Sequence, residues 1–254
     1  MTPELRPDRT VGDIVAHNGR TASVFSRHGI DFCCGGGQTL EKACASKHLD
    51  VAAILHEIAD LTSTAGPDED VTGWSATKLV EWIVTRHHAY VRTETPMIAG
   101  LLEKAVARHG ADHPELAEMR ARFSVVADDL TRHMAKEERI LFPAIVWLEA
   151  NLGLTSGSSQ FPIAHPIAAM RAEHEEAALQ LEQIRQLANG YVPPPDACRT
   201  WKAAYAQLEA FEADLHRHVH LENEVLFPLA QRLVATGAPP EPVGVSTEAA
   251  DSHA

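Results

Sequence analysis

Two stretches of this sequence are copies of one pattern: RHMAKEERILFP at residues 132–143 and RHVHLENEVLFP at residues 217–228. His133 aligns with His218, Glu137 with Glu222, and Leu141-Phe142-Pro143 with Leu226-Phe227-Pro228, every pair 85 positions apart. Upstream, Val126 aligns with Phe211 and Leu130 with Leu215. Residues three and four apart share one face of an α-helix. Phe123, Val126, Leu130, His133, Glu137, Ile140 and Ala144 therefore form one stripe, and Leu208, Phe211, Leu215, His218, Glu222, Val225 and Leu229 form its twin. Each helix carries a histidine and a glutamate in the middle of an apolar seam. An ionised glutamate buried there is costly unless it is paired or bound to a metal.

Working outward, a third helical pattern places Ile167, Met170, His174, Leu181 and Ile184 on one face, and a fourth carries His88. Each half of the repeat then reads as a lone histidine followed by His-x3-Glu. Four histidines and two glutamates give each of two metal ions two imidazoles, with both carboxylates bridging. Imidazole and carboxylate with open positions suit iron, and carboxylate-bridged pairs are at home in helical bundles. His87 competes with His88, and periodicity hardly separates them. His220 and Glu224 form another His-x3-Glu, but the Leu-Phe-Pro register excludes them, and His216 with them. His109, His113 and His165 read as surface or loop residues.

The remaining pattern predicts an all-α protein, an antiparallel four-helix bundle preceded by a small helical domain. The long helices are expected near 76–109, 115–150, 163–189 and 196–235, with Ser75 and Asp196 as caps. Pro96, Pro143 and Pro228 fall inside these patterns and should kink them or mark local breaks. Residues 1–61 form the smaller unit, with short helices near 11–17, 21–28, 39–47 and 50–61. A Gly-, Pro- and acid-rich stretch at 62–74 reads as a linker, 151–162 as a loop, and 236–254 as a disordered tail.

The chain has 254 residues, with 22 Lys+Arg against 35 Asp+Glu, a formal charge of -13. That balance argues against nucleic acid or an anionic membrane surface as the main partner and favours cations. The 15 histidines supply an ample stock of metal ligands. No signal peptide and no apolar run of membrane-spanning length is seen, so a cytoplasmic location is expected. The four cysteines show no disulfide framework. Cys33 and Cys34 are adjacent and precede Gly35-Gly36-Gly37, with a helix expected from about Thr39. Glycine N–H groups and a helix start both favour a thiolate, so this turn is a candidate thiol site able to bind iron, take up nitric oxide or exchange disulfides. Cys44 and Cys198 read as structural.

The pair HMAKEERILFP and HVHLENEVLFP, with Arg86-His87-His88 and Glu173-His174-Glu175, resembles the hemerythrin-like domain of the RIC family, di-iron proteins for the repair of iron centres. IDFCCGGGQTLEKAC, residues 30–44, is similar to that family's N-terminal domain, and PPPDACRTWKAAY, residues 193–205, is familial as well. The resemblance covers about residues 10–235. It implies two non-haem, carboxylate-bridged iron ions held by His88, His133, Glu137, His174, His218 and Glu222, and so selects His88 over His87. It implies a role in restoring iron–sulfur clusters after oxidative or nitrosative damage, by iron donation or nitric oxide handling. Its partners would be iron–sulfur proteins with damaged clusters, with nitric oxide or oxygen as small ligands, and it is compatible with a homodimer. The alternatives are a di-iron nitric oxide reductase or oxidase, and a non-catalytic sensor of oxygen, nitric oxide or iron.

Overall fold

A computed structural model describes residues 5–64, 70–151 and 163–236. The middle of the expected linker, most of the expected 151–162 loop, and nearly all of the expected tail lie outside the described residues.

Four short helices come first: α1 (Val11–His17), α2 (Thr21–Arg27), α3 (Leu40–Ser46) and α4 (Val51–Thr64). Thr10 caps α1 by accepting the Asp13 N–H, and Thr39 caps α3 by accepting that of Lys42. An antiparallel bridge between these two threonines ties the caps together. Among the described residues there is no other pairing of extended chain. Four long rods follow: α5 (76–109), α6 (115–150), α7 (Ala164–Leu187) and α8 (199–236). Ser75 caps α5 as its sequence position suggests, accepting the Lys78 N–H. Asp196 does not cap α8. That helix begins after Cys198, and Asp196 instead accepts from His113 at 3.0 Å.

Neighbouring rods run antiparallel. Along α6 and α7, Arg122 reaches Gln183, while Lys136, one face further along α6, meets Glu173 earlier in α7. Along α5 and α8, His87 contacts Asp214 and Tyr90 contacts Phe211, again in opposite directions. No described helix is long and apolar enough to cross a membrane.

Three of the four rods widen into a π turn: Ile83–His88 in α5, Glu137–Leu141 in α6 and Leu221–Leu226 in α8. Pro143 and Pro228 each come two positions after the end of one, so the widened turn absorbs the missing N–H and the ring's clash with the preceding turn. Pro96 lies inside α5 with no π turn beside it. The extra residue in each π turn rotates the helix beyond it. Ile140, expected on the inner stripe of α6, is 64% exposed, and Leu141 at 3% takes its place. In α8 Leu226 is fully buried where Val225 was expected. A strict 3.6-residue period cannot foresee this shift.

The bundle core falls into two apolar clusters. One includes Val91, Leu102, Phe123, Leu130, Ala177, Leu181, Trp201, Phe211 and Leu215, and continues into the N-terminal helices. The other includes Leu79, Ile83, Leu141, Phe142, Met170, Leu226 and Phe227. On every rod the change from one cluster to the other occurs at the same level, and the residues at that level are polar.

Candidate metal centre

That level holds His88 on α5, His133 and Glu137 on α6, His174 on α7, and His218 and Glu222 on α8. All six are buried, with His88, Glu137 and Glu222 at 0% exposure. One π turn ends on His88, one begins on Glu137 and one takes in Glu222 as its second residue, and such turns bring side chains to positions a regular helix does not offer.

The imidazoles converge in two pairs. His88 Nε2 lies 3.1 Å from His218 Nε2, and His133 Nε2 lies 3.0 Å from His174 Nε2. Each glutamate turns one oxygen to each pair. Glu137 Oε2 is 3.4 Å from His88 Nε2, and its Oε1 is 3.3 Å from His133 Nε2. Glu222 Oε1 is 2.9 Å from His218 Nε2, and its Oε2 is 3.0 Å from His174 Nε2. Two four-residue groups therefore share both carboxylates: His88, His218, Glu137 and Glu222, and His133, His174, Glu137 and Glu222.

The donor set fits metal ions. Two nitrogens bound to one ion at about 2.1 Å and roughly at right angles lie about 3.0 Å apart, which is the spacing of both histidine pairs. Both oxygens of Glu137 are buried without a hydrogen-bond donor, a costly arrangement that a cation relieves. Burial opposes charge on His88, yet the Glu137 and Glu222 carboxylates override it and push its pKa up to about 10. Burial likewise opposes charge on His133, and chiefly Glu137 raises it to about 9. Burial also works against the charge on Glu222, but His218, His174 and His88 hold it well below the usual carboxylate range. The Glu222 carboxylate is therefore ionised and demands positive charge beside it.

The outward nitrogens are held as well. His88 donates Nδ1–H to Glu138 Oε1 at 2.7 Å, His133 to Glu173 Oε2 at 3.0 Å, and His174 to Asn223 Oδ1 at 3.1 Å. Protonation at Nδ1 turns the Nε2 lone pair inward, the tautomer a metal ligand needs. Phe142 stacks on His88 and Phe227 on His174, with 5.7 Å and 6.2 Å between centroids. The repeated Leu-Phe-Pro thus supplies a wall for the lone histidine of a facing rod.

Residues 83–230 match the hemerythrin HHE cation-binding domain, and residues 7–62 match a domain of unknown function, DUF542. The chain is 35% identical over 225 residues to the iron–sulfur cluster repair protein YtfE of Musicola paradisiaca, covering 89% of this chain and 97% of that one. It is 36% identical over 226 residues to the proteins of the same name from Dickeya chrysanthemi and Yersinia pseudotuberculosis, with the same coverage. The chain belongs to the YtfE family. Within this family's hemerythrin-like bundle, the metal-binding character expected from the repeat stands.

The other histidines of this YtfE-family chain take different places. His87 is buried beside His88 but points away from the carboxylates. Its ring stacks on His218 at 5.7 Å, and its Nδ1 meets Asp214. His220, off register as expected, gives its Nδ1 proton to the carbonyl of Phe32 at 3.1 Å, and His216 packs edge-on against the Phe32 ring. Both serve to dock the N-terminal domain. His109 and His113 flank Trp201 where α5 turns into α6, and His165 is exposed.

The cysteine turn lies on α8. Asp31 Oδ1 accepts the N–H groups of Cys33 and Cys34, both at 3.0 Å, and lies 3.4 Å from Cys33 Sγ. Burial works against the charge on Asp31, but the backbone N–H groups of the turn outweigh it and lower its pKa. The two sulfurs are 3.9 Å apart and all four cysteines are free thiols. Cys33 donates towards Cys34, which lowers the Cys34 thiol and, with burial, raises that of Cys33. The N–H groups of Cys33 and Cys34, and that of Gly35, go to Asp31 rather than to a thiolate. Gly36 is needed for the close approach. A Cβ there would stand 2.6 Å from the Phe32 carbonyl oxygen and 3.0 Å from Glu224 Cδ.

Sequence reasoning missed Glu138, Glu173 and Asn223, the residues that orient the histidines. A signal existed for two of them: the 85-residue offset that aligns Glu137 with Glu222 also aligns Glu138 with Asn223.

Proposed function

We propose that His88 and His218 hold one iron ion, His133 and His174 hold a second, and Glu137 and Glu222 bridge the two. We further propose that the chain uses this centre to repair iron–sulfur clusters damaged by oxidative or nitrosative stress, in the cytoplasm, with the damaged proteins as its partners. The single observation that carries the reading is the sharing of both buried carboxylates by two histidine pairs. Imidazole and carboxylate together suit iron better than a thiolate-rich or all-oxygen set would. The names of the relatives, iron–sulfur cluster repair proteins, support the wider role.

When bound, such an iron pair supplies redox-active metal that can be given up to a damaged cluster or take nitric oxide. The protein's own part is to hold and shield. Glu138, Glu173 and Asn223 keep three imidazoles in the ligating tautomer. Phe142 and Phe227 exclude water from two of the rings. Glu173 also pairs with Lys136 at 2.5 Å, at the mouth of a cleft between α6 and α7 lined by Asp129, Arg132 and Glu176. Glu173, in the lining of that cleft, is also the residue that accepts the Nδ1 proton of His133.

The test is iron transfer. The purified protein, loaded anaerobically with ferrous iron, is mixed with an apo iron–sulfur protein. Restoration of the cluster in proportion to iron lost from the donor supports repair by donation. Catalytic consumption of nitric oxide with an electron donor, without iron loss, would assign the centre to a reductase instead.

A further inference from the structure

We infer that Asn223 couples the Cys33-Cys34 turn to the metal centre by fixing the ring of His174, so that metal occupancy and the exposure of Cys34 control one another. The inference rests on the reading of His174 as a metal ligand.

Asn223 is 2% exposed and bonded on both sides of its carboxamide. Its Oδ1 is 3.1 Å from His174 Nδ1. Its Nδ2 donates to the Cys33 carbonyl at 3.1 Å and lies 3.8 Å from Cys34 Sγ. The orientation of this amide is dictated by chemistry. A backbone carbonyl only accepts, so the NH2 group must face Cys33. The oxygen must then face His174, whose Nδ1 must carry the proton, which leaves the Nε2 lone pair for the metal. The tautomer of a metal ligand on α7 is thus set by a peptide carbonyl of the N-terminal domain. Arg171 fixes the backbone of Asn223 from the other side by donating to its main-chain carbonyl oxygen at 2.7 Å.

The internal repeat shows what is special about this position. Glu138, its counterpart, makes the same bond to His88, but its other partner is Arg92 on the bundle surface. A carboxylate has no N–H to offer. A glutamate at 223 would set an oxygen against the Cys33 carbonyl. An amide at this one of the two positions gives the second half of the bundle a donor that the first half lacks, and the cysteine turn sits on that donor.

A ring locked by metal at Nε2 holds its Nδ1 proton on Asn223, which holds the turn closed over Cys34. A ring free to rotate releases the amide and the turn together. By linkage, opening of the turn must weaken metal binding by the same factor.

The experiment measures the rate at which iodoacetamide alkylates Cys34 in the full-length protein, anaerobically, with and without ferrous iron, the site being read by peptide mass mapping. In the parent, iron is expected to slow alkylation on the order of fivefold or more. Asn223→Ala should bind iron about 10–100-fold more weakly and show no iron dependence at Cys34. Asn223→Asp, which keeps an acceptor for His174 but no donor for Cys33, should retain iron and still lose the protection of Cys34. This variant separates coupling from folding if the alanine variant fails to fold. Two irons bound to the parent with no change in alkylation, or full iron dependence in Asn223→Asp, would overturn the inference and leave the ligand set standing. A parent that binds no iron would overturn both.

Discussion

The side chain of Glu138 accepts the Nδ1 proton of His88 at 2.7 Å, and through that bond a residue of α6 orients a ring of α5. The carboxylate is also paired with Arg92, and its pKa is lowered: partial burial opposes the charge, but His88 and Arg92 outweigh it. Removing such an outer partner weakens metal binding by about 10–100-fold. Glu138→Ala should show this loss in a chelator competition assay. Glu138→Gln, which still offers an amide oxygen, should lose less. Equal iron affinity in the parent and the alanine variant would show that His88 needs no orientation.

Protons and metal compete for the same nitrogens, which gives a pH dependence with a definite sign. Without metal, His88 and His133 titrate near 10 and 9, raised from 6.5. Groups raised on folding stabilise the fold fully below their unfolded pKa, and that contribution is lost as pH climbs through the folded values. The metal-free protein should therefore lose stability between about pH 6.5 and 10. The loaded protein, whose ligands have already given up these protons, should not. The gap in Tm between loaded and metal-free protein should widen from pH 6.5 to pH 8.5, and loading at neutral pH should release protons into a weakly buffered solution. A gap that narrows over this range would mean the carboxylates do not hold protons on these histidines.

The π turn in α6 makes a prediction that the sequence period would reverse. Ile140 is 64% exposed and Leu141 is 3% exposed. Ile140→Lys should change stability by no more than about 0.5 kcal/mol, whereas Leu141→Ala should cost about 2–5 kcal/mol. Urea denaturation of the two variants measures this. A large loss at Ile140 with little at Leu141 would place the regular helix, not the π turn, at this level.

These residues also mark where the sequence was legible. The helices, the antiparallel bundle and the facing of His133 and Glu137 with His218 and Glu222 were readable, because a duplicated His-x3-Glu fixes both period and register, whereas the choice of His88 over His87 came from the family resemblance alone. Periodicity failed just beyond each glutamate, at Ile140 and Val225, because a widened turn inserts a residue that no hydrophobic pattern records. Asp196 looked like a cap on composition, but a carboxylate also suits the ring of His113, and that long-range bond prevails. Asn223 was invisible in its role, since its two partners, His174 and Cys33, come from opposite ends of the chain. Glycines and a helix start were expected to favour a thiolate somewhere in the Cys33-Cys34 turn, whereas it is the adjacent Cys33 thiol that lowers Cys34, an effect of side-chain geometry.

The central claim is a pair of iron ions sharing Glu137 and Glu222, and Mössbauer spectroscopy with metal analysis on anaerobically loaded protein tests it most directly. His133→Ala and Glu222→Ala are measured beside the parent. The expected result is about two irons per chain, magnetically coupled in the parent, with coupling lost in both variants because each removes a ligand of the pair. A single iron per chain, or a coupled pair that survives the loss of Glu222, would contradict it.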